Sequence, residues 1–111
     1  MPEGWEPLGP EHRRLTTDDV VEIEVRLDFE NETRWFLSPS EELVEILGRH
    51  KDWIADGKPE NDPRRADLSN ADLRYVYFEG GVNLSGAKLF KTQIQNAYLK
   101  DCDFREAHLG F

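Results

Sequence analysis

Cysteine is nearly missing from this chain of 111 residues: there is one, Cys102, so no internal disulfide can form. With no Cys/His cluster either, a structural zinc site is not expected, and the reduced state suits a cytoplasmic address. Long hydrophobic runs are lacking too. No window approaches the ~18 apolar residues of a membrane span, and Met1-Pro2-Glu3-Gly4 has no basic, apolar leader, so no membrane role is expected. Nor is there a glycine-rich phosphate loop, a paired-histidine zinc motif or a nucleophile elbow. His12, His50 and His108 have no recognisable catalytic companion, and the chain is expected to be non-catalytic and without a cofactor.

Positive charge is also short, with 14 Lys/Arg against 23 Asp/Glu and a net charge of −9. The deficit is local. Residues 1–64 hold 17 acids and 8 bases, whereas residues 65–111 hold six of each. A net negative chain does not bind nucleic acid by neutralising phosphates, so direct nucleic-acid binding is not expected. A protein partner, basic or itself nucleic-acid-binding, fits better.

What is present is a period of five. The apolar residues Leu68, Leu73, Phe78, Leu84, Leu89, Ile94, Leu99, Phe104 and Leu109 are each preceded, two positions earlier, by a smaller residue: Ala66, Ala71, Val76, Val82, Ala87, Thr92, Ala97, Cys102 and Ala107. Five matches neither a helix at 3.6 nor a strand at 2.0. Four units per turn would make a square coil, each side pointing one large and one small residue inward, with adjacent coils about 4.8 Å apart. On this rule Cys102 fills an inward small position as an alanine substitute.

Ala66-Asp67-Leu68-Ser69-Asn70 and Ala71-Asp72-Leu73-Arg74-Tyr75 resemble the pentapeptide repeat family, whose unit is Ala-(Asp/Asn)-Leu-X-X. The resemblance covers residues 65–111 in about nine units. It implies a right-handed quadrilateral β-helix, so the fold class is mainly β with a small N-terminal α+β cap. Between Phe78 and Leu84 the step is six, and Glu79-Gly80-Gly81 is expected to kink outward at a corner.

Residues 1–17 read as a flexible tail, 18–57 as a hairpin and capping helix, and 58–64 as a linker. Val21, Ile23, Val25, Leu27 and Phe29 alternate with Glu22, Glu24, Arg26 and Asp28, which predicts a half-buried strand. A turn is expected at Glu30-Asn31-Glu32-Thr33, with Arg34–Leu37 returning. Ser38-Pro39-Ser40-Glu41 predicts a helix with Ser38 as N-cap, running to about Ala55 before Gly57. Its stripe of Leu43, Ile46, Leu47, His50, Trp53 and Ile54 is expected to close the first coil.

Two surfaces are candidates for a partner. Tyr77 and Tyr98 lie four units apart and should stack on adjacent coils, with Tyr75 at the neighbouring corner and Phe90 outward on another side. The acids Glu22, Glu24 and Asp28 on the strand, and Glu41, Glu42 and Glu45 on the helix, form the second. Phe104, Leu109 and Phe111 in the last coil are candidates for self-association as a homodimer, because an open coil edge invites pairing.

Three functions follow: a protein-binding module or adaptor, an acidic inhibitor of a nucleic-acid-handling complex, or a structural and assembly protein. The resemblance implies the second, since some members mimic a DNA duplex, and a phage anti-defence protein would be one form of it. Long-duplex mimicry does not suit a stack roughly 10 Å tall when one duplex turn spans ~34 Å. The adaptor is the leading expectation.

Overall fold

The computed structural model describes residue 6 and residues 8–27 and 30–110; Asp28, Phe29 and Phe111 lie outside them. From Asp67 onward the backbone runs parallel to itself at a nearly constant offset. Asp67 bridges Lys88, Asp72 bridges Gln93 and Tyr77 bridges Tyr98, each 21 residues on. Asn83 bridges Asp103, and β5 (Lys88–Phe90) pairs with β6 (His108–Gly110), each 20 on. Twenty is four units of five. The pairs that span Glu79-Gly80-Gly81 carry one residue more, so the six-residue step is absorbed without disturbing the later rungs. Gly80 and Gly81 sit at φ 75° and 80°, and a Cβ on Gly81 would lie 2.6 Å from the Asp101 carbonyl oxygen, which is why glycine stands there.

Apart from the six-residue step after Phe78, the units turn their corners in the same way. The small residue's N–H donates back to the preceding central carbonyl, as in Ala71 to Leu68 (3.0 Å), Ala97 to Ile94 (3.2 Å) and Ala107 to Phe104 (3.1 Å). The residue two after each central one is left-handed: Asn70, Tyr75, Gly80, Gly86, Lys91, Asn96, Asp101 and Glu106 have φ between 57° and 76°. Such a turn needs positive φ at its third residue. Aspartate or asparagine before the central residue closes a local loop, with Asp67 accepting from the Ser69 N–H (3.1 Å), Asn83 from Ser85 (2.9 Å) and Asp103 from Arg105 (2.9 Å). The repeat's spelling is therefore the spelling of its corners.

Inside, Leu68, Leu73, Phe78, Leu84 and Leu89 pack with Ala66, Ala71, Val76 and Ala87, none more than 3% exposed. Ile94, Ala97, Leu99, Cys102, Phe104 and Ala107 extend this core but are only partly buried. The core is deepest at its N-terminal end, where other segments cover it.

That cover is assembled from unlike pieces. The strand β1 (Arg13–Arg14) pairs in parallel with β4 (Ala71–Asp72), and Leu15 follows it into the core at 1% exposure. Leu37 bridges Val76: its N–H donates to the Tyr75 carbonyl (2.6 Å), and its own carbonyl accepts from Tyr77 (2.9 Å). Helix α1 (Glu41–Ala55) lays Leu43, Ile46 and Leu47 on the cluster. The predicted capping stripe thus meets the coil.

Three expectations are corrected. Residues 1–17, expected to be a flexible tail, contribute Arg13–Thr16 to the fold, with Leu15 and Thr16 buried. Glu30–Thr33, expected to form a turn, are strand instead. Those residues open β3 (Glu30–Pro39), which pairs antiparallel with β2 (Thr16–Leu27) from Leu27↔Glu30 through Val21↔Phe36, and the polar cross-strand pairs are tolerated because Thr33 and Glu24 face water. The helix N-cap is Ser40 rather than Ser38. Its Oγ accepts from the Leu43 N–H (3.2 Å), while Pro39 ends β3.

Candidate protein-binding face

Between β2 and β3 the register shifts at Thr17–Asp19, where Thr17 Oγ donates to the Ser38 carbonyl and accepts from the Asp19 N–H. Such a bulge re-aims the ribbon. β3 then brings two aromatic residues onto the outer side of the coil. Trp35 stacks on Tyr75 with centroids 4.3 Å apart and planes 12° apart. Phe36, 5% exposed, meets Tyr98 edge-on at 5.6 Å and Tyr77 at 6.1 Å. Tyr77 and Tyr98 are themselves 5.2 Å apart on paired rungs, as the four-unit spacing predicts.

The tyrosines are thus largely occupied by the chain's own hairpin. What remains open lies beside them. Val21, Pro39, Leu47, Tyr77, Glu79 and Val82 line a cleft of about 510 Å³, and Val20 and Val44, near it in sequence, are 42% and 58% exposed. Val21, Ile23 and Val25 alternate as predicted, yet all three are only partly buried and none belongs to the core cluster. The ribbon is a surface that the fold leaves half covered.

Glu22 and Glu24 are exposed on β2, opposite Trp35 and Thr33, and Glu41, Glu42 and Glu45 are exposed on α1. Asp28 falls outside the described residues. Phe90 is 43% exposed and lies edge-on to His108 at 6.2 Å, away from the tyrosines. Phe104 is partly buried, β6 carries Leu109 alongside Leu89, and Phe111 lies outside the described residues. Among the described residues, no backbone hydrogen bond pairs the far side of the coil 94–107 with another segment.

His50 was the residue whose role sequence reasoning missed. Its ring is fully buried, Nδ1 accepts from the Ala66 N–H (2.9 Å), and Nε2 donates to the Ser85 carbonyl (2.8 Å). These bonds require the neutral tautomer protonated at Nε2. Burial lowers its pKa, against the Ser85 carbonyl, and the cationic Arg65 and Lys58 push the same way as burial. Trp53 stacks on the imidazole at 5.0 Å and donates from Nε1 to the Pro59 carbonyl. The ring therefore ties Ala66 to Ser85 inside the structure. Its position on the apolar stripe was the available signal.

Burial raises the pKa of the Cys102 thiol, as suits an inward small position. Asp103, held by Arg105, is pushed down to about 2. Among the described residues no group of three His, Cys, Asp or Glu is placed to hold a metal ion, and no helix is long and apolar enough to cross a membrane.

Residues 66–106 match the family model of pentapeptide repeats, in eight copies; the ninth unit, from Ala107, lies beyond the match. No curated protein and no solved structure matches the chain.

Proposed function

We propose that this chain, in which residues 66–106 are pentapeptide repeats, is a non-catalytic protein-binding module: a right-handed quadrilateral β-helix whose cap presents a hairpin to a basic protein partner. The observation that carries this reading is the half-covered ribbon. Val21, which lines the 510 Å³ cleft, and Ile23 and Val25 farther along the strand stay partly exposed, while Glu22 and Glu24 alternate with them and are exposed. A two-stranded ribbon is marginal in water, and a partner that covers its apolar side gains buried area there. The carboxylates would steer a Lys/Arg-rich protein toward it.

The test is capture with crosslinking, using the intact chain beside Glu22→Lys with Glu24→Lys and beside Ile23→Ser with Val25→Ser, each checked for an unchanged unfolding midpoint. A partner retained by the intact chain and lost by both variants supports the reading. A partner indifferent to both moves the site elsewhere, and one displaced by added nucleic acid would favour the acidic-inhibitor reading.

Self-association through the coil around Phe104 and Leu109 belongs to the same proposal. Sedimentation equilibrium that stays at the 12.9 kDa monomer at all concentrations would remove it.

A further inference from the structure

The register of the hairpin decides which backbone groups of β2 are used and which are left. Leu37 turns to the coil on both counts, its N–H donating to the Tyr75 carbonyl and its carbonyl accepting from Tyr77, which leaves neither for β2. Val20↔Leu37 is therefore a pair without mutual hydrogen bonds, and in an antiparallel ladder such pairs alternate with bonded ones. Val21↔Phe36, Ile23↔Arg34 and Val25↔Glu32 are then the bonded pairs. Val20, Glu22 and Glu24 point their N–H and carbonyl groups the other way, off the outer edge of β2.

That edge is open. β2 and β3 form a sheet of two strands, and among the described residues no backbone group of Val20, Glu22 or Glu24 bonds a segment other than β3. All three residues are exposed, and the bulge at Thr17–Asp19 sits at one end, leaving Val20–Val25 regular. Neither proline nor lysine interrupts the strand, so what guards this edge is charge of one sign. Arg34 lies on the opposite face with Glu32 at 3.4 Å, and among the described residues neither Glu22 nor Glu24 has an ion-pair partner. A second copy laid antiparallel on the edge, in any register centred on residues 20–24, would set Glu22 or Glu24 opposite a carboxylate, and like charges directly opposite destabilise. A strand with Lys or Arg opposite both glutamates, and an apolar residue between them beside Ile23, meets the same edge with complementary charge.

We propose that the outer edge of β2 accepts an added strand from a basic protein partner, in which Lys or Arg alternates with apolar residues alongside Val20–Val25. The unpaired main-chain groups of Val20, Glu22 and Glu24 supply the hydrogen bonds, and the alternation of charge supplies the selectivity. This inference rests on the protein-binding reading above and adds the way in which the partner is held.

The test is amide hydrogen exchange of the full chain, read by NMR, with a peptide that alternates lysine and valine and is backbone-methylated either at its lysines or at its valines. The two forms share charge and side chains and differ only in which backbone edge can pair. In the free chain the Glu22 and Glu24 amides should exchange about tenfold or more faster than those of Ile23 and Val25, which the ladder protects. One form should bind saturably and slow Glu22 and Glu24 by about tenfold or more, while the other does not; antiparallel addition selects the form methylated at valine. Glu24→Pro removes an outward N–H without touching the ladder, and should abolish the binding that Glu24→Gln only weakens. Equal binding of both forms, with exchange at Glu22 and Glu24 unchanged, would overturn strand addition and leave the basic-partner reading standing on charge alone. Binding that survives Glu24→Pro would do the same. No binding by either form would also overturn strand addition, and the capture experiment then decides the wider reading by itself. Slowing of these amides as the chain alone is concentrated would overturn the assignment in favour of a second copy.

Discussion

The coil from Ala66 to His108 and the cap from Arg13 to Ala55 bury apolar residues against one another, but they reach order by opposite routes. In the coil one five-residue rule sets the recurring roles, the small residue inward, the large residue inward and the left-handed corner, with Asp/Asn loops at Asp67, Asp72, Asn83 and Asp103. In the cap no rule repeats. The first coil is covered by a two-residue strand, a single bridge at Leu37, and an imidazole that joins Ala66 to Ser85. A periodic segment distributes its stability over many equivalent contacts. The cap concentrates it in a few dissimilar ones.

The sharpest way to break that contrast is at His50. His50→Leu leaves the Ala66 N–H and the Ser85 carbonyl buried without partners, and we expect a loss of about 2–6 kcal/mol in urea unfolding, since each of the two orphaned groups costs about 1–3 kcal/mol. Leu99→Ala, in the partly buried later coil, should cost less, because part of its surface already meets solvent. Equal losses at the two sites would erase the distinction.

Corners give the next comparison. Gly86 sits at φ 76° with a Cβ position 2.9 Å from Trp53, whereas Gly80 sits at φ 75° with nothing within 4 Å. Alanine at either pays the left-handed penalty of about 1–2 kcal/mol. Gly86→Ala must also displace the Trp53 ring that covers the coil, adding about 1–3 kcal/mol. Thermal melts of the two variants should separate accordingly, and coincident melting points would mean that the indole moves freely.

Protonation tests the same junction more gently. The folded pKa of His50 is depressed below the ordinary value of 6.5, so the unfolded chain takes up the proton first as pH falls. Stability from the neutral ring is fully present above about pH 6.5 and declines below it, until the folded ring also titrates. The unfolding midpoint should therefore fall between pH 7 and pH 5 in the intact chain. His50→Leu should flatten that slope, although the carboxylates held by Arg64 and Arg105 would still act at lower pH. A slope identical in both proteins would assign the effect to another group. The smallest effect is expected at Lys91, a non-glycine corner with φ 57°, where Lys91→Gly should stabilise by about 0.5–1 kcal/mol if the left-handed strain outweighs the added chain entropy.

The coil was legible from the sequence because both its inward positions and its corners repeat, so nine weak signals add. The offset of 21 that becomes 20 was readable from one extra residue at Glu79-Gly80-Gly81. The cap was legible only as separate elements. Arg13-Arg14 has no period to show, and its partner Ala71-Asp72 is 58 residues away. Polar Glu30–Thr33 reads as a turn because composition does not separate a turn from a polar strand, and Glu32 and Thr33 are exposed on theirs. His50 could be placed on the apolar stripe of α1, but its partners are backbone groups whose positions exist only once the coil has closed. Pairing of Tyr77 with Tyr98 followed from the spacing; that Phe36 would lie against them did not.

The corner at Glu79-Gly80-Gly81 has one consequence for how such a chain can vary. A helix or a flat strand that gains one residue rotates or flips everything after it. Here the additional residue changes the length of one coil and leaves Asn83↔Asp103 and Lys88↔His108 in step. Corners are therefore places where the chain can grow outward while the rungs keep count, and a longer excursion grafted at Gly80-Gly81 should be carried by the coil as a passenger.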